Sequence, residues 1–302
     1  MKRVVSVSLG SSKRDHAARV TLLDEPLELR RVGADGSMER ALELLREFDG
    51  RVDAIGLGGL DVYLNIDGER FVIQDGLRLM QAVRVTPVVD GSRVKDTMER
   101  RAVRWLAEHG PVPLRGARVL MVSSLDRWGM AETLAEVGAD VVYGDLMFAA
   151  GVPYPIRTLE ELKELGRKMA REICKLPIHM IYPVGEKQER EPEEKFPEYY
   201  REAQVVAGDF HLIRRYMPRD MAGKMVLTQT TTAADREFMR ERGVRWVVTT
   251  TPVLDGRSFG TNLIEAALVA LLGRRPEELT PEDFHRVLDR MDYRPTVIDL
   301  QS

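Results

Sequence analysis

The 302-residue chain has one cysteine, Cys174, and five histidines. A single cysteine excludes an internal disulfide and any cysteine-cluster zinc site. Its place late in an amphipathic helix, in REICKLP, marks a buried thiol rather than a nucleophile. The histidines are scattered, with no HxxH or HExxH spacing, so no metal site is expected. No long run of one charge sign is present, and the formal net charge is −3. The basic face of a nucleic-acid-binding protein is therefore missing. No apolar run approaches the roughly 20 residues that span a bilayer. The opening stretch MKRVVSVSLG is too short for a signal peptide and lacks a cleavage pattern, so a cytoplasmic location is expected. Lysine is scarce, nine of the 45 basic residues. A GC-rich genome accounts for that, and so do the arginine networks of a heat-adapted protein.

What is present reads as a globular α/β chain, 44% apolar and 31% charged, long enough for two domains. The break falls near EHGPVPLRGAR, where Gly110, Pro111 and Pro113 stop a helix. It separates a smaller mixed α/β domain, 1–112, from a second domain, 113–302. In the first, VVSVSLG and ARVTLL read as a hairpin around GSSKRDHA. SMERALELLREF reads as an amphipathic helix with Ser37 as N-cap. DVYLNIDGERFVI reads as a hairpin turning at Asp67-Gly68. A helix follows at 94–109.

The second domain repeats strand and helix. RVLMVS, DVVYG, IHMIYP, QVVAG, KMVLTQ and RWVVTT are expected as six strands of a doubly wound, Rossmann-like parallel sheet. Helices fall at about 128–137, 158–174 and 233–242. Two more, at 261–272 and 281–290, return toward the first domain. The last opens on Thr280-Pro281-Glu282-Asp283, an N-cap, an N1 proline and first-turn acids.

Glycine is absent where a dinucleotide fold needs it. Laid against G-x-G-x-x-G, the turn after RVLMVS reads Ser124-Leu125-Asp126-Arg127-Trp128-Gly129. Only the third glycine, the one that packs helix on strand, survives. Asp126 either caps the following helix or stands where a phosphate belongs and repels it. Arg127 offsets that charge if it turns inward as a phosphate clamp. Asp145 lies 21 residues after Ser124, at the offset of the acid that holds a ribose hydroxyl, and it favours NAD over NADP. Asp209 adds a second acid near the expected nucleotide cleft, with His211 beside it as a candidate acid–base. LDGRSFGTN feeds a helix N-terminus, so Arg257, Thr261 and Asn262 are candidates to touch an anionic ligand. In the first domain the polar turn GSSKRDH offers Ser12 and Lys13, GLGGLD offers Asp61 beyond two glycines, and DGSRVKDT offers Lys95 and Asp96.

The order of a mixed α/β domain, an interdomain helix, a dinucleotide-type domain and a returning helix pair resembles the shikimate and quinate dehydrogenases, and VSLGSSKRDH, VDGSRVKDTMERR, SSLDRWGMAE, GDFHLIRRYMP and TTTPVLDGRSFGTN together look like a bacterial group named for quinate 5-dehydrogenase. The resemblance covers the whole chain. It implies NAD(P)-dependent hydride transfer to or from a ring hydroxyl. A Lys-Asp pair would move the hydroxyl proton, with Lys95 and Asp96 in the comparable region. Lys13 with Asp96 and Lys95 with Asp61 are equally allowed pairings. Ser124, Asp126, Arg127, Gly129, Asp145 and Asp209 would then face NAD, and Ser12, Lys13, Asp61, His211, Arg257 and Asn262 a small-molecule substrate. Two other readings stay open: a non-redox enzyme working from an acidic cleft, and a non-catalytic sensor of a small anion. No nucleic-acid or membrane partner is expected, and a homo-oligomer is left open.

Overall fold

A computed structural model describes residues 1–181, 193–254 and 257–302, with the side chains of 253–258 outside the description. The chain forms two compact units. The first comprises Met1–Thr97, the described part of Met169–Glu189, and Phe259–Tyr293. The second comprises Met98–Lys168, the described part of Arg190–Ser258, and Arg294–Ser302. The division between units falls inside the helix Ser92–His109.

In the first unit five strands run in the order His16–Leu22, Glu25–Gly33, Lys2–Ser8, Ala54–Gly58, Val88–Val89. Lys2–Ser8 is buried from Val4 onward, as a strand flanked on both sides must be. Its expected pairing with ARVTLL is corrected. His16–Leu22 pairs antiparallel with Glu25–Gly33 instead, and Lys2–Ser8 lies parallel on the other side of Glu25–Gly33. The two-residue turn Leu23-Asp24, with φ of 54° and 66°, closes that hairpin. His16–Leu22 keeps an alternating exposure that suits an edge. The second expected hairpin forms, Tyr63–Ile66 against Glu69–Val72, turning at Asp67-Gly68 with φ of 49° and 77°. Met38–Phe48 is helical, with the Ser37 hydroxyl accepting from the Arg40 amide.

The helix Thr261–Leu272 belongs to this unit and buries nine of its residues, Thr261 and Leu263 through Ala270. Its first turn sits on glycines. The Asn262 amide donates to Ser6 Oγ at 2.5 Å. A Cβ built on Gly56 comes within 2.5 Å of the Asn262 carbonyl oxygen, and Gly58 and Gly91 press on the same residue. Asn262, expected against a ligand, is therefore packed into the sheet. Gly56→Ala forces backbone against backbone, which no rotamer relieves. We expect a loss of about 2–3 kcal/mol in urea unfolding. A loss within about 0.5 kcal/mol, the range of ordinary surface changes, would contradict this close approach.

In the second unit the order is Asp140–Tyr143, Arg118–Met121, Val205–Ala207, Met225–Thr228, Trp246–Thr249, Thr296–Asp299. The first five are parallel and the last is antiparallel. Helices Trp128–Glu136, Leu159–Ile173 and Ala233–Glu241 lie within a residue of their expected spans. One expected strand is corrected. The described part of IHMIYP is the helical turn Ile178–Ile181, and Tyr182 and Pro183 lie outside the described residues. Pro177 precedes that turn, and the Asp75 carboxylate takes the Ile178 amide at 2.9 Å, which fixes a helical start. The sixth strand comes from Thr296–Asp299, with no sequence signal beyond TVID itself. Within this unit's core Phe148 meets Tyr200 edge-on and Tyr216 at a tilt, with centroids 5.7 Å and 5.5 Å away. Among the described residues no helix is long and apolar enough to cross a membrane.

Candidate functional site

Ligands of open α/β sheets bind beyond the carboxyl ends of the strands. In the second unit those ends carry Ser123–Arg127, Gly144-Asp145, Gly208-Asp209, Thr228–Thr231 and Thr249–Thr251. The turn after Arg118–Met121 is a 3-10 turn, Leu125–Arg127, and the helix starts only at Trp128. That insertion moves Asp126 out of capping range. Arg127 is the N-cap residue and no side chain caps this helix, so the expected Asp126 cap is not formed. Gly129 is buried in the first turn of the helix.

Arg127 does turn inward, but onto the chain itself. It is 3% exposed and its guanidinium reaches Glu99 Oε1 at 2.5 Å and Asp209 Oδ2 at 3.2 Å. Asp126 Oδ2 lies 3.9 Å from its Nε. Burial alone would drive Arg127 toward neutrality, but the charges of Glu99, Asp126 and Asp209 outweigh it and hold the guanidinium protonated. Glu99 is fully buried and carried by the helix Ser92–His109. No sequence feature singled it out, because a lone glutamate in a charged helix reads as a solvated face.

Asp209 is the N-cap of the helix Phe210–Tyr216, accepting the amides of His211 at 2.9 Å and Leu212 at 3.4 Å. Burial pushes its carboxyl up. The charges of His211 and Arg127 and the two amides more than offset that, leaving it below the usual carboxylate range. Its own amide donates to Ser123 Oγ at 3.0 Å. The threonines at the neighbouring strand ends are used internally. Thr228 donates to the Gly208 carbonyl at 2.8 Å and Thr251 to the Gln229 carbonyl at 2.6 Å. Half-buried Asp126, Asp209, His211, Gln229 and Thr230 form the part of this edge that meets solvent.

Asp145 points back into the turn. Its Oδ1 accepts the amides of Ser124 at 2.8 Å and Leu125 at 3.0 Å, and the residue is 6% exposed. These are the amides that a dinucleotide fold turns toward pyrophosphate. Burial raises the Asp145 carboxyl to about 6 against the pull of those two amides.

The first-unit candidates separate. Lys95 reaches Asp61 Oδ2 at 2.8 Å, an ion pair 8% and 14% exposed, which is one of the pairings left open. Asp96 follows on the helix, where neighbouring side chains leave about 100° apart. Ser12 and Lys13 are exposed in the 3-10 turn Ser12–Arg14, and the Ser12 amide is held by Asp35 at 2.6 Å. Arg257 sits in the two-residue strand Arg257–Ser258, and its side chain lies outside what is described, as do Asp255 and Gly256. Cys174 is buried, and burial pushes its thiol up to about 11. Among the described residues no group of three or more His, Cys, Asp or Glu is placed to hold a metal.

Residues 93–300 match a family described as domain of unknown function (DUF8754), and residues 3–90 one described as domain of unknown function (DUF8753). No curated protein matches by sequence. Similar solved structures include an arabinose binding protein from Geobacillus stearothermophilus, at 10% identity and a TM-score of 0.43, covering 99% of this chain and 97% of that one. A periplasmic solute binding protein from Actinobacillus succinogenes with bound D-allose has 9% identity and a TM-score of 0.38, covering 100% and 98%. A glutamate dehydrogenase from Thermus thermophilus has 16% identity and a TM-score of 0.43, covering 96% and 73%. At these scores no ligand or activity passes to the chain. The resemblance to quinate and shikimate dehydrogenases is corrected all the same. The matching families are described as domains of unknown function and not as dehydrogenases of that type, and the similar structures include sugar-binding proteins. The oxidoreductase reading falls with it.

Proposed function

We propose that this chain, which belongs to the family described as domain of unknown function DUF8754, is a small-molecule binding protein. Its second unit is a Rossmann-like sheet that has kept the strand–helix crossovers and given up the phosphate turn. The ligand offers hydrogen-bond donors, hydroxyl or ammonium groups, to the carboxyl edge of that sheet. One observation carries the reading. The solvent-facing acids at the strand ends, Asp126 and Asp209, gather around a guanidinium already committed to Glu99. The edge therefore presents acceptors, and the guanidinium of Arg127 beside them is already paired. Carboxylates of this kind accept charge-assisted hydrogen bonds, each worth about 1.5–3 kcal/mol. A nicotinamide dinucleotide brings two phosphates to the place where the edge is acidic, so NAD is not the ligand in this reading.

A thermal-shift panel tests it. Neutral polyols, monosaccharides and small amines are set against NAD, NADH and inorganic phosphate. A rise in Tm is expected within the first group and none within the second. Asp209→Asn keeps the helix cap, since asparagine caps about as well, but removes the charge. It should weaken the responding ligand about tenfold or more. A response confined to NAD, NADH or phosphate would overturn the proposal.

A further inference from the structure

Asp145 does a job that an acid holding a ribose does not. The turn Ser123–Arg127 has two backbone amides pointing at one place, and an anion already sits there: the Asp145 carboxylate, 2.8 Å from the Ser124 nitrogen and 3.0 Å from that of Leu125. The same turn holds further donors. The Ser124 side chain also pulls the Asp145 carboxyl down, and Arg127 Nε and Trp128 Nε1 are buried without a hydrogen-bond partner, on residues 3% and 4% exposed. Buried donors seldom go unmatched, so this turn is rich in donors. A turn of that kind fits a tetrahedral oxyanion, whose several oxygens can each take a donor.

We propose that Asp145 is a specificity-determining residue, a built-in carboxylate that fills a latent oxyanion site and keeps phosphorylated molecules out. The inference rests on the reading of this edge as a binding site and names what that site rejects. Two physical effects act together. The carboxylate occupies the space next to the two amides, so a phosphate oxygen has no donor to meet. Its charge, with that of Asp126 beside it, repels whatever phosphate approaches. Removing the side chain frees both amides.

The test uses inorganic phosphate as the probe and the full chain throughout. Melting curves are recorded for the unchanged protein, Asp145→Ala and Asp145→Asn in 50 mM phosphate and in sodium chloride of equal ionic strength. Phosphate stabilises all proteins a little by exclusion from their surfaces, so the quantity read is the difference between variants. Asp145→Ala should gain about 3 °C or more in phosphate over the unchanged chain, as expected of a ligand at about tenfold its Kd. Asp145→Asn keeps an acceptor against the amides and should gain much less. If Asp145→Ala is unfolded in chloride, phosphate should restore its melting transition. An equal response from all three proteins, or an unfolded Asp145→Ala that phosphate does not rescue, overturns the assignment. This outcome is independent of the ligand panel. A panel without a hit beside a phosphate gain in Asp145→Ala would remove the donor-bearing ligand and leave the latent oxyanion site standing.

Discussion

Arg127→Met is expected to lower the stability of the second unit by about 3–5 kcal/mol, the usual loss when one partner of a buried ion pair is removed. Glu99 is 0% exposed and its Oε1 lies 2.5 Å from Arg127. Without the guanidinium, its charge stays in the interior or the group must be protonated. Asp209 is affected less, because its side chain is 32% exposed and water can replace the lost bond. The double variant Arg127→Met with Glu99→Leu should recover most of the loss, since both charges leave together. All three tryptophans, Trp105, Trp128 and Trp246, lie in the second unit, so their fluorescence during urea unfolding reports on that unit alone. A loss below about 1 kcal/mol in Arg127→Met would mean the pair behaves as an exposed one.

Glu265→Gln is expected to stabilise the first unit near neutral pH by about 3 kcal/mol. Glu265 is 2% exposed on the helix Thr261–Leu272, and its Oε2 accepts the Val94 amide at 3.2 Å. Burial, and then the charge of Asp90, push its carboxyl up to about 8, against the pull of the Val94 and Arg93 groups. Between its ordinary value of 4.5 and about 8, the native state binds a proton that the unfolded state releases. Its contribution is therefore complete below pH 4.5 and is lost as pH rises toward 8. Each unit of that interval costs about 1.4 kcal/mol. Glutamine has no proton to acquire and still offers an oxygen to Val94. The gain of Glu265→Gln over the unchanged chain should vanish near pH 4.5 and grow with pH to a plateau above 8. Asp145 adds a slope of its own up to about 6, but that slope is common to both proteins and cancels. Urea unfolding followed by circular dichroism at several pH values gives the difference. A gain that does not change with pH would refute the buried-acid account.

The elements most legible in the sequence were those whose chemistry is local. Ser37 and Thr280 cap their helices, each accepting a backbone amide three residues on. Asp67-Gly68 turns its hairpin because both residues tolerate positive φ. Strand pairing was less legible because it is decided at a distance. Nothing in VVSVSLG says that it will pair with Glu25–Gly33 rather than with the nearer ARVTLL. The antiparallel strand Thr296–Asp299 is chosen by the open edge of Trp246–Thr249, which the segment itself does not record. The site divides in the same way. Arg127, Asp145 and Asp209 were found because a familiar turn lacked its glycines. What each one does depends on Glu99 and on two amides, and neither could be placed from spacing. Asn262 looked like a ligand contact because it opens a helix after glycines. The glycines that matter to it, Gly56, Gly58 and Gly91, lie far away in the chain.

The late helix Thr261–Leu272 has a consequence for synthesis. It covers a first unit whose strands were all made before residue 90, and the strand Thr296–Asp299 closes the edge of the second unit. Neither unit is complete until residues beyond 258 have left the ribosome. At roughly 5–20 residues per second, the strands of the first unit wait on the order of ten seconds for their cover. During that interval Val4, Leu29 and Ala54, buried in the finished fold on the same sheet face as Ser6 and Gly56, lack the helix that shields that face. A nascent chain in this state is a client for holdase chaperones and a target for proteases. A ribosome stalled late in the message would release two unfinished units rather than one finished unit and one fragment.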